Sequence, residues 1–365
     1  MRALKFIISG GGTGGHIFPA IAIANALRKI HPDSEILFIG AKDRMEMEKV
    51  PRAGYPIEGL WISGLQRNLT AKNLLFPVKL VSSLVKARKI IKRFKPDAVI
   101  GVGGYASAAV LRMAVSMNIP ALIQEQNSFP GITNKWLAPK VNRICVAFEG
   151  MEKYFPENKI IITGNPVRDE VIDIKGKRKG AIQFFKLEED KPTLVITGGS
   201  LGARSVNQNI LAGIERIINA GIQVVWQTGK PFYKEAIEGT KGMGNVKIHE
   251  FIYEMDKAYA VADLLVTRAG AITVSELELV KKPAILVPLP SAAEDHQTKN
   301  ALALIKKDAA VLVPDKEAGK KLVETLIVLM NDENRRKTIE KNLETLGKEN
   351  AADTIAKEVL KLIKP

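Results

Sequence analysis

Short apolar runs ended by glycine, alternating with stretches of helical spacing, dominate this 365-residue chain. The first run, Phe6-Ile7-Ile8, stops at a turn with five glycines in the six positions 10–15. The pattern predicts a strand covered on both faces, a glycine turn, and a helix. Pro19 suits a first helical turn, and Ile21, Ala24, Ala26, Leu27 and Ile30 supply an apolar face up to Ile30. Further strands are predicted at 36–40, 57–62, 96–102, 120–127 and 160–163. A second series follows at 192–197, 223–227, 246–249, 263–267 and, with its exit loop, 284–290. Buried runs alternating with helical spacing point to open parallel sheets. Helices of about 316–330, 332–347 and 351–363 close the chain.

Two strands lead into glycine turns that open helices: Phe6–His16 and, far downstream, Leu194–Arg204 with Gly198-Gly199-Ser200-Leu201-Gly202. Such turns leave backbone amides uncovered at a helix start and suit an anion or a diphosphate. Gly10, Gly12 and Gly15 satisfy G-x-G-x-x-G literally. A dinucleotide fold also needs an acid at the end of the second strand, where only Asp43 comes near, and late. The histidine directly after the turn and the second glycine turn weigh against a dehydrogenase. Two such openings instead indicate two doubly wound domains in series, the first ending near Gly164-Asn165-Pro166-Val167-Arg168.

Composition narrows the classes. With 46% hydrophobic and 25% charged residues the chain is ordinary for a globular protein. Its one cysteine, Cys145, excludes an intramolecular disulfide and points to a reducing compartment and a core role. The first strand starts almost at Met1, so no signal peptide is expected, and no apolar run reaches the roughly 18–20 residues of a membrane span. The four histidines lack metal-ligand spacing, and neither a P-loop nor a G-x-S-x-G elbow is present.

The net charge of +15 is concentrated in the first half, with nine basic residues and no acid from Arg67 to Lys95. Leu80, Leu84, Ala87 and Ile91 there have helical spacing toward a core, while Leu74, Leu75 and Phe76 sit among lysines. An anionic membrane surface fits apolar residues ringed by basic ones; a solvated basic helix face fits equally. Nucleic acid is disfavoured, because no aromatic stacking series interleaves with the charges.

Seven motifs in order carry a resemblance: Gly11–His16, Gly103-Gly104-Tyr105, Glu125-Gln126-Asn127, Gly164–Arg168, Gly198–Arg204, Arg268–Glu276 and His296–Ala301. Together they resemble the MurG-type transferases of bacterial peptidoglycan synthesis over nearly the whole chain. The resemblance implies an α/β GT-B fold, with two Rossmann-like doubly wound domains facing a central cleft. The domains would be 1–165 with a returning C-terminal helix at about 348–365, binding acceptor and membrane, and 166–347, binding the donor. It implies inverting transfer of N-acetylglucosamine from its UDP donor to the muramyl 4-hydroxyl of undecaprenyl-pyrophosphoryl-N-acetylmuramyl pentapeptide (lipid I), giving lipid II. No cofactor or metal is implied, and the location would be peripheral, on the cytoplasmic side of the cell membrane.

Carried over, the donor site would comprise Arg168, Ser200, Ile252, Ala271, Ile272, Thr273, Val274, Ser275, Glu276 and Gln297. Glu276 would hold the ribose hydroxyls, the Ile252 backbone the uracil, and Gln297 the transferred sugar, with Arg268 adding charge near the diphosphate. Thr13, Gly14, Gly15 and Asn127 would close over the donor sugar and diphosphate. His16 is the candidate general base, since a neutral imidazole suits deprotonation of a hydroxyl. Tyr105 and Glu125 are acceptor-site candidates. The family often has two glutamines where this chain has His296-Gln297. A transferase using another lipid acceptor such as diacylglycerol, or a nucleotide-sugar-binding protein without transfer, would share much of this pattern.

Overall fold

The computed structural model describes residues 2–63, 75–199 and 201–363. The chain divides into two units, 1–167 with 348–365, and 168–347.

The first unit is built on a seven-stranded, all-parallel sheet: β1 (Lys5–Ser9), β2 (Glu35–Ala41), β3 (Ile57–Leu60), β4 (Ala98–Gly101), β5 (Ala121–Glu125), β6 (Arg143–Val146) and β7 (Ile160–Ile162). The strand order β3-β2-β1-β4-β5-β6-β7 reverses between β1 and β4, where Ser9 pairs with Gly101. Loops at the carboxyl ends of these two strands border the crevice in which open parallel sheets receive ligands. Ile7, Ile39 and Val99 face one apolar core; Phe6, Ile8, Phe38 and Ile100 face the other, so both faces are covered.

The second unit has a six-stranded parallel sheet: β8 (Thr193–Thr197), β9 (Gln223–Gln227), β10 (Val246–His249), β11 (Leu264–Thr267), β12 (Ala284–Leu286) and β13 (Val311–Leu312). Its order is β10-β9-β8-β11-β12-β13, with the reversal between β8 and β11. Both glycine turns therefore follow a switch-point strand. Strands β6 and β13 are additions to the sequence-based expectation; β13 has only two residues.

The first helix spans Gly14–Ile30, so Pro19 lies inside it rather than in its opening turn. Proline there removes the bond its amide would give to the Gly15 carbonyl. The far end of this helix's apolar face is covered by helix Ala351–Ile363, whose Ile355, Ala356, Val359 and Leu360 join Ile17, Ala20, Ile23, Ala24 and Leu27 in one cluster.

Of the basic segment, Arg67, Lys72 and Leu74 lie outside the described residues. Helix Phe76–Phe94 buries Ser83, Ala87, Ile90 and Ile91, with Leu80 and Leu84 partly buried against the core. Its other side leaves Val78, Val81 and Val85 half exposed or more, continuing from Leu75. No described helix is long and apolar enough to cross a membrane.

Candidate active site

In the first unit the 10–16 turn and the 103–104 turn meet backbone against backbone. A Cβ on Gly10 would lie 2.1 Å from Val102 Cγ2, and one on Gly104 2.7 Å from the Gly11 carbonyl oxygen. Gly103 has φ +102° and lies under the His16 ring, where a Cβ would come within 2.8 Å of Nε2. Only glycine fits both the backbone conformation and the imidazole above it.

His16 is in the first turn of helix Gly14–Ile30, and its Nδ1 lies 3.0 Å from the Gly11 carbonyl oxygen. A carbonyl only accepts, so Nδ1 carries the hydrogen in this bond, and in the neutral ring Nε2 is the basic nitrogen. Thr13 Oγ1 is 3.4 Å from the same Nδ1. Thr13 precedes the helix in an extended conformation, and its carbonyl accepts the amides of His16 and Ile17. Thr13 is exposed, while Gly14, Gly15 and His16 are partly exposed.

Beneath this turn lies Glu46, fully buried. Its Oε2 accepts the Gly12 amide at 2.9 Å and its Oε1 the Ala41 amide at 3.0 Å. Gly11 and Gly40 make room for it, since a Cβ on either would strike its side chain. The sequence offers no sign of this role. The polar run Asp43-Arg44-Met45-Glu46 reads as a solvated helix start.

Glu125 is engaged within its own segment. It is 2% exposed, and its oxygens accept from Asn127 N, Asn127 Nδ2, Gly131 N and Asn134 Nδ2 at 2.8–3.2 Å. Burial raises its pKa and these bonds partly offset that. It anchors the 125–134 segment and thereby Asn127. Tyr105 is exposed at the start of its helix.

In the second unit Ser200 lies outside the described residues, but its turn does not. Gly202, at φ +75°, approaches the Thr228 carbonyl so closely that a Cβ would stand 2.0 Å from its oxygen. Gln227, 3% exposed at the end of β9, is bonded at both ends of its carboxamide. Its Nε2 donates to the Gly199 carbonyl at 3.0 Å, and its Oε1 accepts the Ile252 amide at 2.8 Å. One buried side chain thus ties the glycine turn to the Ile252 loop. The Ile252 amide is already engaged, so its carbonyl is the backbone group that can accept from the N3–H of a uracil.

Helix Ala271–Val280 begins after Gly270, which has no side chain to cap it. Ala271, Ile272 and Thr273 form the first turn, the end of a helix whose amides suit an anion. Val274 and Ser275 are buried; Glu276, one turn in, is partly exposed. Tyr259, 1% exposed, donates its hydroxyl to Glu276 Oε2 at 2.7 Å. Burial raises the Glu276 pKa, with the Tyr259 bond and the Arg168 charge acting against it. The Tyr259 hydroxyl is pushed well up, by burial first and by the Glu276 charge second. Arg168 is exposed just ahead of helix Asp169–Ile172.

Arg268 is committed elsewhere: its guanidinium donates to Asp315 at 2.5 Å, to Ser205 Oγ, and to the carbonyls of Val287 and Pro288. Its charge is met by Asp315, and its work is to clamp the ends of β11 and β12. Gln297 Oε1 accepts the Leu289 amide at 2.9 Å, so its NH2 is what it offers a sugar hydroxyl. Before it, Glu294 and Asp295 both take the left-handed conformation, φ +54° and +53°.

The chain matches the glycosyltransferase family 28 N-terminal domain over residues 6–146 and the family 28 C-terminal domain over 193–358. It is 52% identical over 365 residues to the UDP-N-acetylglucosamine–N-acetylmuramyl-(pentapeptide) pyrophosphoryl-undecaprenol N-acetylglucosamine transferase of Parabacteroides distasonis, covering 100% of this chain and 99% of that one. It is 53% identical over 364 residues to the enzyme of the same name from Cytophaga hutchinsonii, covering 99% and 98%. The crystal structure of Acinetobacter baumannii MurG superposes with a TM-score of 0.79 at 27% identity, covering 98% of this chain and 99% of that one. With both family domains matched in order on two Rossmann-like sheets, the chain belongs to glycosyltransferase family 28.

Proposed function

We propose that this protein transfers N-acetylglucosamine from UDP-N-acetylglucosamine to the 4-hydroxyl of the muramyl sugar of undecaprenyl-pyrophosphoryl-N-acetylmuramyl pentapeptide, with inversion. The names of its full-length relatives supply the substrates. The observation that carries the mechanism is His16, held as the Nδ1–H tautomer by the Gly11 carbonyl in the switch-point turn of the first unit.

In the second unit, Glu276 takes the ribose hydroxyls, with one oxygen fixed by Tyr259. The Ile252 carbonyl reads uracil, and Gln297 donates to the sugar. Arg168, Ser200 and the helix start at Ala271–Thr273 surround the diphosphate. In the first unit, Thr13, Gly14, Gly15 and Asn127 contact the donor sugar and diphosphate. As the acceptor oxygen attacks C1, its proton passes to His16 Nε2, the C1–O bond to the diphosphate breaks, and UDP leaves with the electron pair. Helix-start amides stabilise that leaving charge.

We infer a peripheral location on the cytoplasmic side of the cell membrane, against an anionic surface, through residues 67–95. Two features support this: the exposed row Leu75, Val78, Val81 and Val85, and the exposed Arg88, Lys89, Lys92 and Lys95 on the same segment. The deciding assay offers labelled UDP-N-acetylglucosamine with lipid I or with diacylglycerol. Label is expected in lipid I alone; transfer to diacylglycerol alone, or to neither, overturns the reading.

A further inference from the structure

The bond to Glu46 and the bond to His16 are made by the same peptide group. The carbonyl of Gly11 accepts from His16 Nδ1 at 3.0 Å, and the amide of Gly12, its partner across the peptide bond, donates to Glu46 Oε2 at 2.9 Å. A fully buried carboxylate, one planar peptide and an imidazole therefore form a continuous line of donors and acceptors. A peptide is polarisable along this axis, and hydrogen bonds in a chain strengthen one another at low dielectric. A negative charge at the N–H end increases the electron density on the carbonyl oxygen. That oxygen then holds Nδ1–H more tightly and favours positive charge on the ring.

We propose that Glu46 is a positioning residue for His16, acting through the Gly11–Gly12 peptide to fix the Nδ1–H tautomer and strengthen Nε2 as a base. The logic is that of a carboxylate orienting a catalytic histidine, with a peptide unit inserted between them. In the transfer step the hydroxyl proton goes to Nε2, the Nδ1 proton stays where it is, and Glu46 keeps both of its backbone hydrogen bonds. The backbone is built for this arrangement. Gly11 and Gly40 leave space for the carboxylate, and Gly103 leaves space for the ring. The second oxygen of Glu46 is tied to Ala41 at the end of β2, which holds the carboxylate in register with the turn. This proposal rests on the reading of His16 as the base.

Two measurements test it. In wild-type protein, long-range 1H–15N correlation of labelled histidine reads the tautomer of His16, with His16→Gln identifying its signal. Nδ1–H is expected in the neutral ring, and Nε2–H overturns the proposal whatever any variant does. In Glu46→Gln, which keeps the shape and removes the charge, kcat for transfer is expected to fall at least ~10-fold. The loss should be smaller than the ~10⁴-fold for a carboxylate bonded directly to a histidine. The KM for the donor and the affinity for UDP should stay within twofold. A kcat within twofold of wild type overturns the proposal, as does a loss confined to KM. The base reading fails separately: it falls if His16→Ala turns over normally. An inactive His16→Ala beside a normal Glu46→Gln removes only the role of Glu46.

Discussion

The two glycine turns follow equivalent switch-point strands, yet opposite electrostatics lie beneath them. Under the 10–15 turn is a buried carboxylate that has already taken the Gly12 amide. The 198–202 turn is supported by a neutral carboxamide, Gln227, which touches only its carbonyl side through Gly199. A group approaching the first turn meets a carboxylate that has taken the Gly12 amide; at the second, the Gly199 carbonyl has taken the Gly202 amide, and the described side chain beneath is uncharged. The same strand-turn-helix unit is thus specialised by the residue packed under the loop. On the proposed reading the first turn carries the proton-accepting His16 beside its donor contacts, while the second carries no carboxylate beneath it among the described residues.

The strongest way to break this contrast is His16→Ala. Turnover is expected to fall between about 10²- and 10⁴-fold, the usual range for a general base, with UDP affinity by calorimetry unchanged. A loss of UDP affinity with normal turnover would reverse the roles of the two turns.

Next in size is Glu276→Gln. A carboxamide still accepts from Tyr259 but loses a charged acceptor for the ribose, so UDP affinity should drop about 10-fold. Stability should move the other way. The folded-state pKa of Glu276 is raised, so the folded protein binds more protons than the unfolded chain between the two values. Its contribution to stability is present below the unfolded pKa and lost as pH rises through the folded one. At pH 7 the apo variant should therefore melt higher than wild type, and this difference should shrink in acid. Equal melting curves at both pH values would show that Glu276 is not strained by its burial.

The smallest effect belongs to Gln227→Leu. Both of its bonds go, and UDP should weaken severalfold through loss of register between the Gly199 turn and the Ile252 loop. Turnover at saturating donor should be nearly intact. If affinity for UDP were untouched, the tie between these loops would be irrelevant to the nucleotide.

The strands, both glycine turns and the order of motifs are legible in the sequence because a parallel sheet writes itself as continuous apolar runs punctuated by glycine. Strand β6 is less legible: Arg143 opens it, and Cys145 reads simply as a core residue. The groups proposed to act on substrate carry a recognisable chemistry and spacing. Those that support them do not. Glu46, Gln227 and Tyr259 are distant in sequence from what they hold, and each reads as an ordinary member of its helix or strand. Arg268 shows the reverse case. A cation beside a phosphate-type turn invites a ligand role, but Asp315, 47 positions later, accounts for its charge.

The last turns of the chain have a consequence for biosynthesis. Residues 168–347 form one uninterrupted stretch, complete in itself, whereas the opening unit needs Ile355, Ala356, Val359 and Leu360 to cover helix Gly14–Ile30. On the ribosome, the unit begun before residues 168–347 is therefore finished after them, and deletion of helix Ala351–Ile363 would uncover apolar surface far upstream in the chain.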